Sequence, residues 1–319
     1  MPNLNIAFLG PSELAKELGK KGTSTDITFY NMKKGDLTLT VIEPSRYPEK
    51  LSSLFYTASL ANLAILVIDS ISARLGEIIL MLNAAQIRQG AFILRNYIDM
   101  GQITPLIHGT VLEQYVELAD DPVTLRAWLW NRVEELSHAR SEESGTVPID
   151  HHFQVKGIGT VILGCVQHGT IHRHDQLIVH PIGKTAQVRS IQKHDDDVEE
   201  ASVGDRVGLA LKGVEADELD RGFVLSSDPR IVSSLTLSGT AQVIPYWQQP
   251  LKEQMVLYAG HWMQFLPCRV TNIRDQGDFR KPTLTLEFER EIIYLPGSPI
   301  ILHYLESEKL RIVGTMTVS

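Results

Sequence analysis

Near residue 139 the pattern of this chain changes, and that change limits its fold more than any other feature. Before it, short apolar runs alternate with helical stretches. After it, helical periodicity disappears and short β-type runs broken by Gly, Asp and His take over. The runs at 5–9, 64–68 and 91–94 are continuous rather than alternating, as strands buried on both faces of a parallel sheet must be. Strands are also predicted over 26–30 and 37–42, joined by the turn Lys33-Lys34-Gly35-Asp36, and over 103–107. Helices are predicted over 13–18, 48–62, 73–89 and 122–138. In the third, Leu75, Ile78, Ile79, Leu82 and Ala85 recur at helical spacing and Gly90 stands as a C-terminal stop. Asp121 is placed to cap the fourth. Strands separated by helices predict an α/β layer structure.

The polar stretch 139–145 reads as a linker. Beyond it, β-type runs at 159–164, 176–180, 186–192, 206–211 and 222–225 follow one another at barrel-like spacing. Asp228-Pro229 then separates a second β-rich block. The organisation predicted is 1–141, an α/β domain, followed by β-barrels over 146–230 and 231–319. With 43% hydrophobic and 21% charged residues, each part has ordinary material for a core. No apolar run reaches membrane-spanning length, and no signal peptide is read at the start. Cys165 and Cys268 stand far apart and outside any metal spacing, which points to reduced thiols and the cytoplasm. The net charge of -8 leaves only a local basic patch as a route to nucleic acid. Two basic doublets, Lys20-Lys21 and Lys33-Lys34, either meet RNA backbone or stand as exposed turn lysines.

The segment 6–18 invites comparison with a phosphate-binding loop, Gly-x4-Gly-Lys-Ser/Thr. In that loop, glycine N–H groups wrap the phosphates, Lys reaches the terminal oxygens and a hydroxyl holds magnesium. The register here is Gly10-Pro11-Ser12-Glu13-Leu14-Ala15-Lys16-Glu17. Gly10 and Lys16 fit. Ala15 puts a β-carbon where backbone approaches phosphate, Pro11 removes a donor, and Glu17 sets a carboxylate against a polyanion. Such like-charge contact costs on the order of several kcal/mol when desolvated.

Taken in order, the segments resemble the translational GTPases of the EF-Tu class, and within it archaeal relatives of the selenocysteine-specific elongation factor. Asn5-Ile6-Ala7-Phe8-Leu9-Gly10 resembles the first strand and loop glycine. Val41-Ile42-Glu43-Pro44-Ser45-Arg46-Tyr47 falls where the family has a strand and Asp-x-Pro-Gly-His. Glu43 then stands at the magnesium-linked Asp, Arg46 at the Gly that meets the γ-phosphate, and Tyr47 at the His that orients water. Asn96-Tyr97-Ile98-Asp99 resembles the guanine motif Asn-Lys-x-Asp, with Tyr97 for Lys. In the second block, Gly157-Ile158-Gly159-Thr160-Val161-Ile162-Leu163-Gly164 resembles the family's opening hairpin. Ala201-Ser202-Val203-Gly204-Asp205-Arg206-Val207-Gly208-Leu209 resembles its Ala-x-x-Gly-Asp-x-Val-Gly-Leu stretch. The final residues 311–318 resemble the closing strand of the third domain.

The resemblance implies an α/β P-loop GTPase-like domain followed by two β-barrel domains, and a partner such as tRNA or a ribosome-associated factor, with no membrane and no DNA. Through it, Gly10, Lys16, Asn96 and Asp99 become a vestigial nucleotide site. The altered residues predict a pseudo-GTPase that needs no cofactor, with no catalytic and no metal-binding residue assigned. The interval 17–26 is too short for a loop that closes over magnesium and γ-phosphate. The alternatives are residual GTP or GDP binding, with or without magnesium, and a protein-binding scaffold outside translation. His168, His172 and His174, and the acidic run 194–200, are weighed as metal ligands against solvated loops.

Overall fold

A computed structural model describes residues 3–10, 13–135, 143–275, 277–307 and 310–318. Two compact units are present, Met1–Ala139 and Arg140–Ser319.

In the first unit the chain runs β1 (Asn3–Leu9), α1 (Glu13–Leu18), β2 (Lys20–Ser24), β3 (Thr28–Lys34), β4 (Leu37–Glu43) and α2 (Leu51–Leu60). It continues through β5 (Leu63–Ile68), α3 (Ala73–Ala84), β6 (Gln89–Leu94), α4 (Met100–Ile107), β7 (Val116–Leu118) and α5 (Pro122–Glu134). One seven-stranded sheet results, in the order β2-β3-β4-β1-β5-β6-β7. The strands β1, β4, β5, β6 and β7 are parallel, and β2 and β3 fold back antiparallel at one edge. Every residue of β1 and β5 is buried, as the continuous apolar runs require. Ile6, Phe8, Leu39, Val41, Ile65 and Ile93 pack against Leu14 and Leu18 of α1 and Leu125, Leu129 and Val133 of α5. Asp121 caps α5, accepting from the Thr124 N–H at 2.7 Å.

Three local readings are corrected. Residues 103–107 are the end of helix α4, not a strand. Asp99 and Gln102 form a reciprocal capping box, each side chain 3.1 Å from the other's backbone N–H, and it fixes the first turn. The outer strand is β7 instead. The third helix stops at Ala84, and Gly90 lies within β6 rather than ending a helix. A β-carbon there would sit 2.3 Å from the Tyr115 ring and 2.5 Å from the Ala64 carbonyl oxygen, so the ring and the neighbouring strand together demand glycine. The interval after α1 holds a strand, β2, paired with β3. The predicted linker lies mostly outside the described residues.

The second unit begins with β8 (Thr146–Val155), β9 (Gly159–Cys165), β10 (Thr170–His172), β11 (Gln176–His180), β12 (Lys184–Lys193), β13 (Asp196–Val198), β14 (Glu200–Ser202), β15 (Arg206–Lys212) and β16 (Val224–Ser226). Pairing runs β11-β16-β8-β9-β15-β12, and β12 returns to β11, so six strands close a ring. The pair β10–β14 stands apart, and β13 extends β12. Inward residues such as Val147, Ile149, Ile162, Leu177, Val188 and Leu209 fill the interior.

The remaining strands are β17 (Val232–Val243), β18 (Val256–His261), β19 (Gln264–Arg274), β20 (Thr283–Tyr294), β21 (Pro299–His303) and β22 (Ile312–Val318). They form a closed barrel in the order β17-β20-β19-β18-β21-β22. Closure leaves no edge to pair with another chain.

His261 and His303 are buried in this last barrel, with Nδ1 3.2 Å from the Pro299 carbonyl oxygen and 3.1 Å from that of Tyr258. Burial lowers their pKa values from the ordinary 6.5 to about 4 and about 3. Above pH 6.5 both are neutral, folded or unfolded. As pH falls below that, the unfolded chain binds protons that the barrel refuses. Stability is then lost at about 1.4 kcal/mol per pH unit for each histidine, down to the folded values. Urea midpoints of the full chain should therefore fall steadily between pH 6.5 and pH 4, and His303→Asn should make the fall shallower.

Candidate functional site

In an open sheet, ligands bind beyond the C-terminal ends of the strands, where neighbouring connections leave for opposite faces. Here that point lies between β1 and its neighbours β4 and β5. A cleft of about 690 Å³ opens there, a size suited to a small molecule. Its polar lining comes from Glu43, Ser45 and Tyr47 after β4, and from Asp69, Ser70, Ser72 and Arg74 after β5. Gly10 closes the end of β1. Gly10 has φ +125°, and a β-carbon on it would lie 2.3 Å from the Val67 carbonyl oxygen. Only glycine fits that backbone.

Helix α1 begins at Glu13, inside the span that would have to wrap phosphates. Leu14 and Ala15 are 5% and 0% exposed and belong to the core. Lys16 is exposed on the helix and does not line the cleft. Glu43 and Asp69 bring two acidic residues to the cleft lining and Arg74 one basic residue. The Tyr30 hydroxyl donates to Glu43 Oε2 at 3.0 Å, and the Ser70 hydroxyl donates to Asp69 Oδ1 at 3.0 Å. Among the described residues no three His, Cys, Asp or Glu side chains gather to hold a metal.

The segments that resemble nucleotide-sensing elements are tied into the fold. Tyr47 Oη lies 3.0 Å from Oε2 of the buried Glu77 on α3 and 3.2 Å from the Arg74 carbonyl oxygen. The Ser45 hydroxyl is 2.5 Å from that of Thr28, which is 2.9 Å from that of Ser24. Ser24 belongs to β2, so the stretch after α1 is engaged twice, by its ladder with β3 and by these hydroxyls. Arg46 is exposed.

Asn96 and Asp99 sit after β6, outside the cleft lining. Asn96 and Tyr97 both have positive φ, 56° and 62°, in a turn closed by the Ile98 N–H on the Arg95 carbonyl. Asn96 Nδ2 donates to the Asp69 carbonyl oxygen at 3.1 Å, and the Asp99 carboxylate caps α4. Tyr97 is fully exposed. The weighed histidines do not converge. His168 pairs with Glu143 at 2.9 Å, while His172 lies 3.7 Å from both Asp175 and Glu200. His194 and Asp195 make the left-handed turn between β12 and β13.

A second candidate arises in the first barrel. The β8–β9 register slips between Ile149 and His151, so Asp150 is the extra residue of a β-bulge. Bulges re-aim side chains. Asp150 is buried and takes a fork of bonds from Arg206, with Nη2 at 3.2 Å from Oδ1. His151 Nδ1 lies 2.6 Å from the same Oδ1, and Arg221 Nε donates to the Asp150 carbonyl oxygen at 3.0 Å. Burial pushes the Asp150 carboxyl up, but the Arg206 charge and the hydrogen bonds outweigh it and hold the group at about 2. His151 stacks on Phe153, which stays exposed. Sequence reading does not single out this cluster or Glu77. The available signal is a charged Asp-His pair inside a strand that otherwise alternates.

A family profile for elongation factor Tu domain 2 matches residues 159–226. The chain is 38% identical over 316 residues to a protein of Methanocaldococcus jannaschii named "Uncharacterized protein MJ0325", covering 98% of this chain and 99% of that one. It is 28% identical over 244 residues to the selenocysteine-specific elongation factor of the same organism, covering 70% of this chain and 52% of the relative. The chain thus matches about half the length of that factor. Two crystal structures of translation elongation factor SelB from Methanococcus maripaludis share the fold. The apo form has a TM-score of 0.80 at 22% identity, and the complex with the GTP analogue GppNHp has 0.83 at 21%. Each match covers 99% of this chain and 79% of that one.

The Tyr47 bonds make a direct prediction. Removing the hydroxyl withdraws a partner from a buried carboxylate and costs about 1–3 kcal/mol. Tyr47→Phe should lower the urea midpoint by a matching amount, and hydrogen exchange should rise at 44–50 and 73–78. An unchanged midpoint would show that the hydroxyl carries none of that load.

Proposed function

The chain belongs to the translational GTPase family of the EF-Tu class, SelB-like in kind, and from that footing we propose that it serves as a binding module for RNA, tRNA foremost, that has lost GTP hydrolysis. The observation that carries the loss is the start of α1 at Glu13. It puts Leu14 and Ala15 in the core, where a GTPase needs backbone N–H groups turned towards phosphates. Two cleft carboxylates and the engagement of Tyr47 with Glu77 support the same reading. Without a γ-phosphate to hold, no ordered-to-disordered loop couples hydrolysis to partner release.

The binding role rests on the barrels. The first keeps the family's hairpin and presents a bulged Asp150–His151–Arg206 cluster beside an exposed aromatic ring. We place the aminoacyl end of a tRNA there. The exposed Phe153 ring suits stacking against a terminal base.

Isothermal titration of the full chain tests both halves. GTP and GDP, with and without magnesium, should give no heat at millimolar concentration, while aminoacyl-tRNA should bind with a salt-dependent affinity. Micromolar guanine-selective binding would overturn the lost-hydrolysis reading, and absence of tRNA binding at low salt would overturn the RNA role.

A further inference from the structure

The cleft beside β1 carries both signs of charge in one preformed cavity. Two loops wall it, one after β4 with Glu43, Ser45 and Tyr47, the other after β5 with Asp69, Ser72 and Arg74. Strands β4 and β5 flank β1 on either side, so the strands leading into these loops are two spacings apart, about 9.5 Å. Bonds within the protein hold both loops. Tyr47 Oη reaches the Arg74 carbonyl oxygen at 3.2 Å and Glu77 Oε2 at 3.0 Å, which ties the first loop to the start of α3. Asn96 Nδ2 donates to the Asp69 carbonyl oxygen at 3.1 Å and steadies the second. The cleft is thus shaped before any ligand arrives, which lowers the ordering cost of binding. Much of the remaining lining is apolar, with Leu9, Pro44, Leu66, Leu75 and Ile78 among its residues.

We infer that this cleft is a binding site for a free α-amino acid with a large apolar side chain. The inference rests on the reading that the cleft has given up guanine nucleotide. Two acidic residues and one basic residue suit a ligand that carries an ammonium and a carboxylate. Among the described residues the Arg74 guanidinium makes no hydrogen bond or ion pair, so Asp69 does not neutralise it. Its planar fork is the group that matches a carboxylate best. Arg95 lies near Asp69, but its guanidinium is forked onto Asp120 at 2.7 and 2.9 Å. Glu43 and Asp69 accept from the hydroxyls of Tyr30 and Ser70 at 3.0 Å each, and every carboxylate has further lone pairs for an ammonium. A ligand with a single charge would leave one of these sets without a counterpart once water is displaced, a cost that a zwitterion avoids. The apolar lining then takes the side chain by burial. A volume of about 690 Å³ favours a large side chain over a small one.

Isothermal titration of the full chain with L-leucine tests this, and saturable heat is expected at millimolar concentration. Leucinamide lacks the carboxylate and 4-methylpentanoate lacks the ammonium. Each should bind about tenfold more weakly, the loss of one charged hydrogen-bonding partner. Arg74→Ala removes an exposed side chain and should weaken leucine by about the same factor while leaving leucinamide unchanged. Asp69→Asn keeps the backbone carbonyl that Asn96 holds, and it should weaken leucine while leaving 4-methylpentanoate unchanged. Melting curves check that both variants keep the fold. No saturable heat from leucine, or unchanged leucine affinity in either variant, would overturn the site. So would glycine binding as tightly as leucine. GTP titrated alongside separates the two readings. Heat from GTP with none from leucine would overturn both, whereas none from either ligand would overturn only the amino-acid site.

Discussion

Leu14 and Ala15 lie under the sheet with Phe8, Leu39 and Leu125, and the character of the N-terminal unit depends on that burial. A loop that wraps phosphates offers bare backbone to solvent and leaves its own side chains outside the core. A segment that contributes a leucine at 5% exposure cannot also be that loop without giving up the contacts of the side chain, worth about 1.5–3 kcal/mol. The short helix then delivers the chain directly to β2 at the sheet edge. A segment that is a mobile switch in a nucleotide-driven domain is here a paired strand.

The first barrel keeps its polar machinery under a different balance. A carboxylate as buried as Asp150 is costly unless it is paired, and Arg206 and His151 supply the partners, while the Arg221 side chain binds the Asp150 carbonyl oxygen. Well-packed apolar residues could fill the same volume at equal or greater stability, so a buried pair of this kind is weak evidence for a stabilising role. The bulge at Asp150 adds to this, because it interrupts the β8–β9 ladder where regular pairing would serve the barrel better. The pair Lys193–Asp205, 2.8 Å apart, differs. Asp205 also accepts from the Ser202 N–H and fixes the turn before β15, a structural task sufficient to explain it.

Much of this was legible in the residues. Continuous apolar runs at 64–68 and 91–94 mark central parallel strands, and the glycine-bounded hairpin at 157–164 marks the opening of a barrel. The run 103–107 misleads because five apolar-rich residues suit a strand or a helix equally, and the decision lies upstream in the Asp99–Gln102 box. Strand β2 escapes because Lys20-Lys21-Gly22-Thr23-Ser24 has no apolar alternation. It is a strand only because β3 offers an edge. Glu77 and Asp150 escape for another reason. Their partners, Tyr47 and Arg206, are 30 and 56 residues away, and no local pattern reports a bond across that distance.

The proposed loss of a nucleotide switch changes what the rest of a three-domain body can do. A ligand shifts a conformational equilibrium only by its difference in affinity for the two states. Where Tyr47 already holds Glu77 and Ser45 already holds Thr28, the contacts that γ-phosphate would organise are made within the chain. In the proposed reading a nucleotide then has little differential energy to contribute. In the proposed reading, affinity for a partner is instead set by fixed surfaces, such as the exposed Phe153 ring of the first barrel. Control over such surfaces comes from concentration, ionic strength and competing partners.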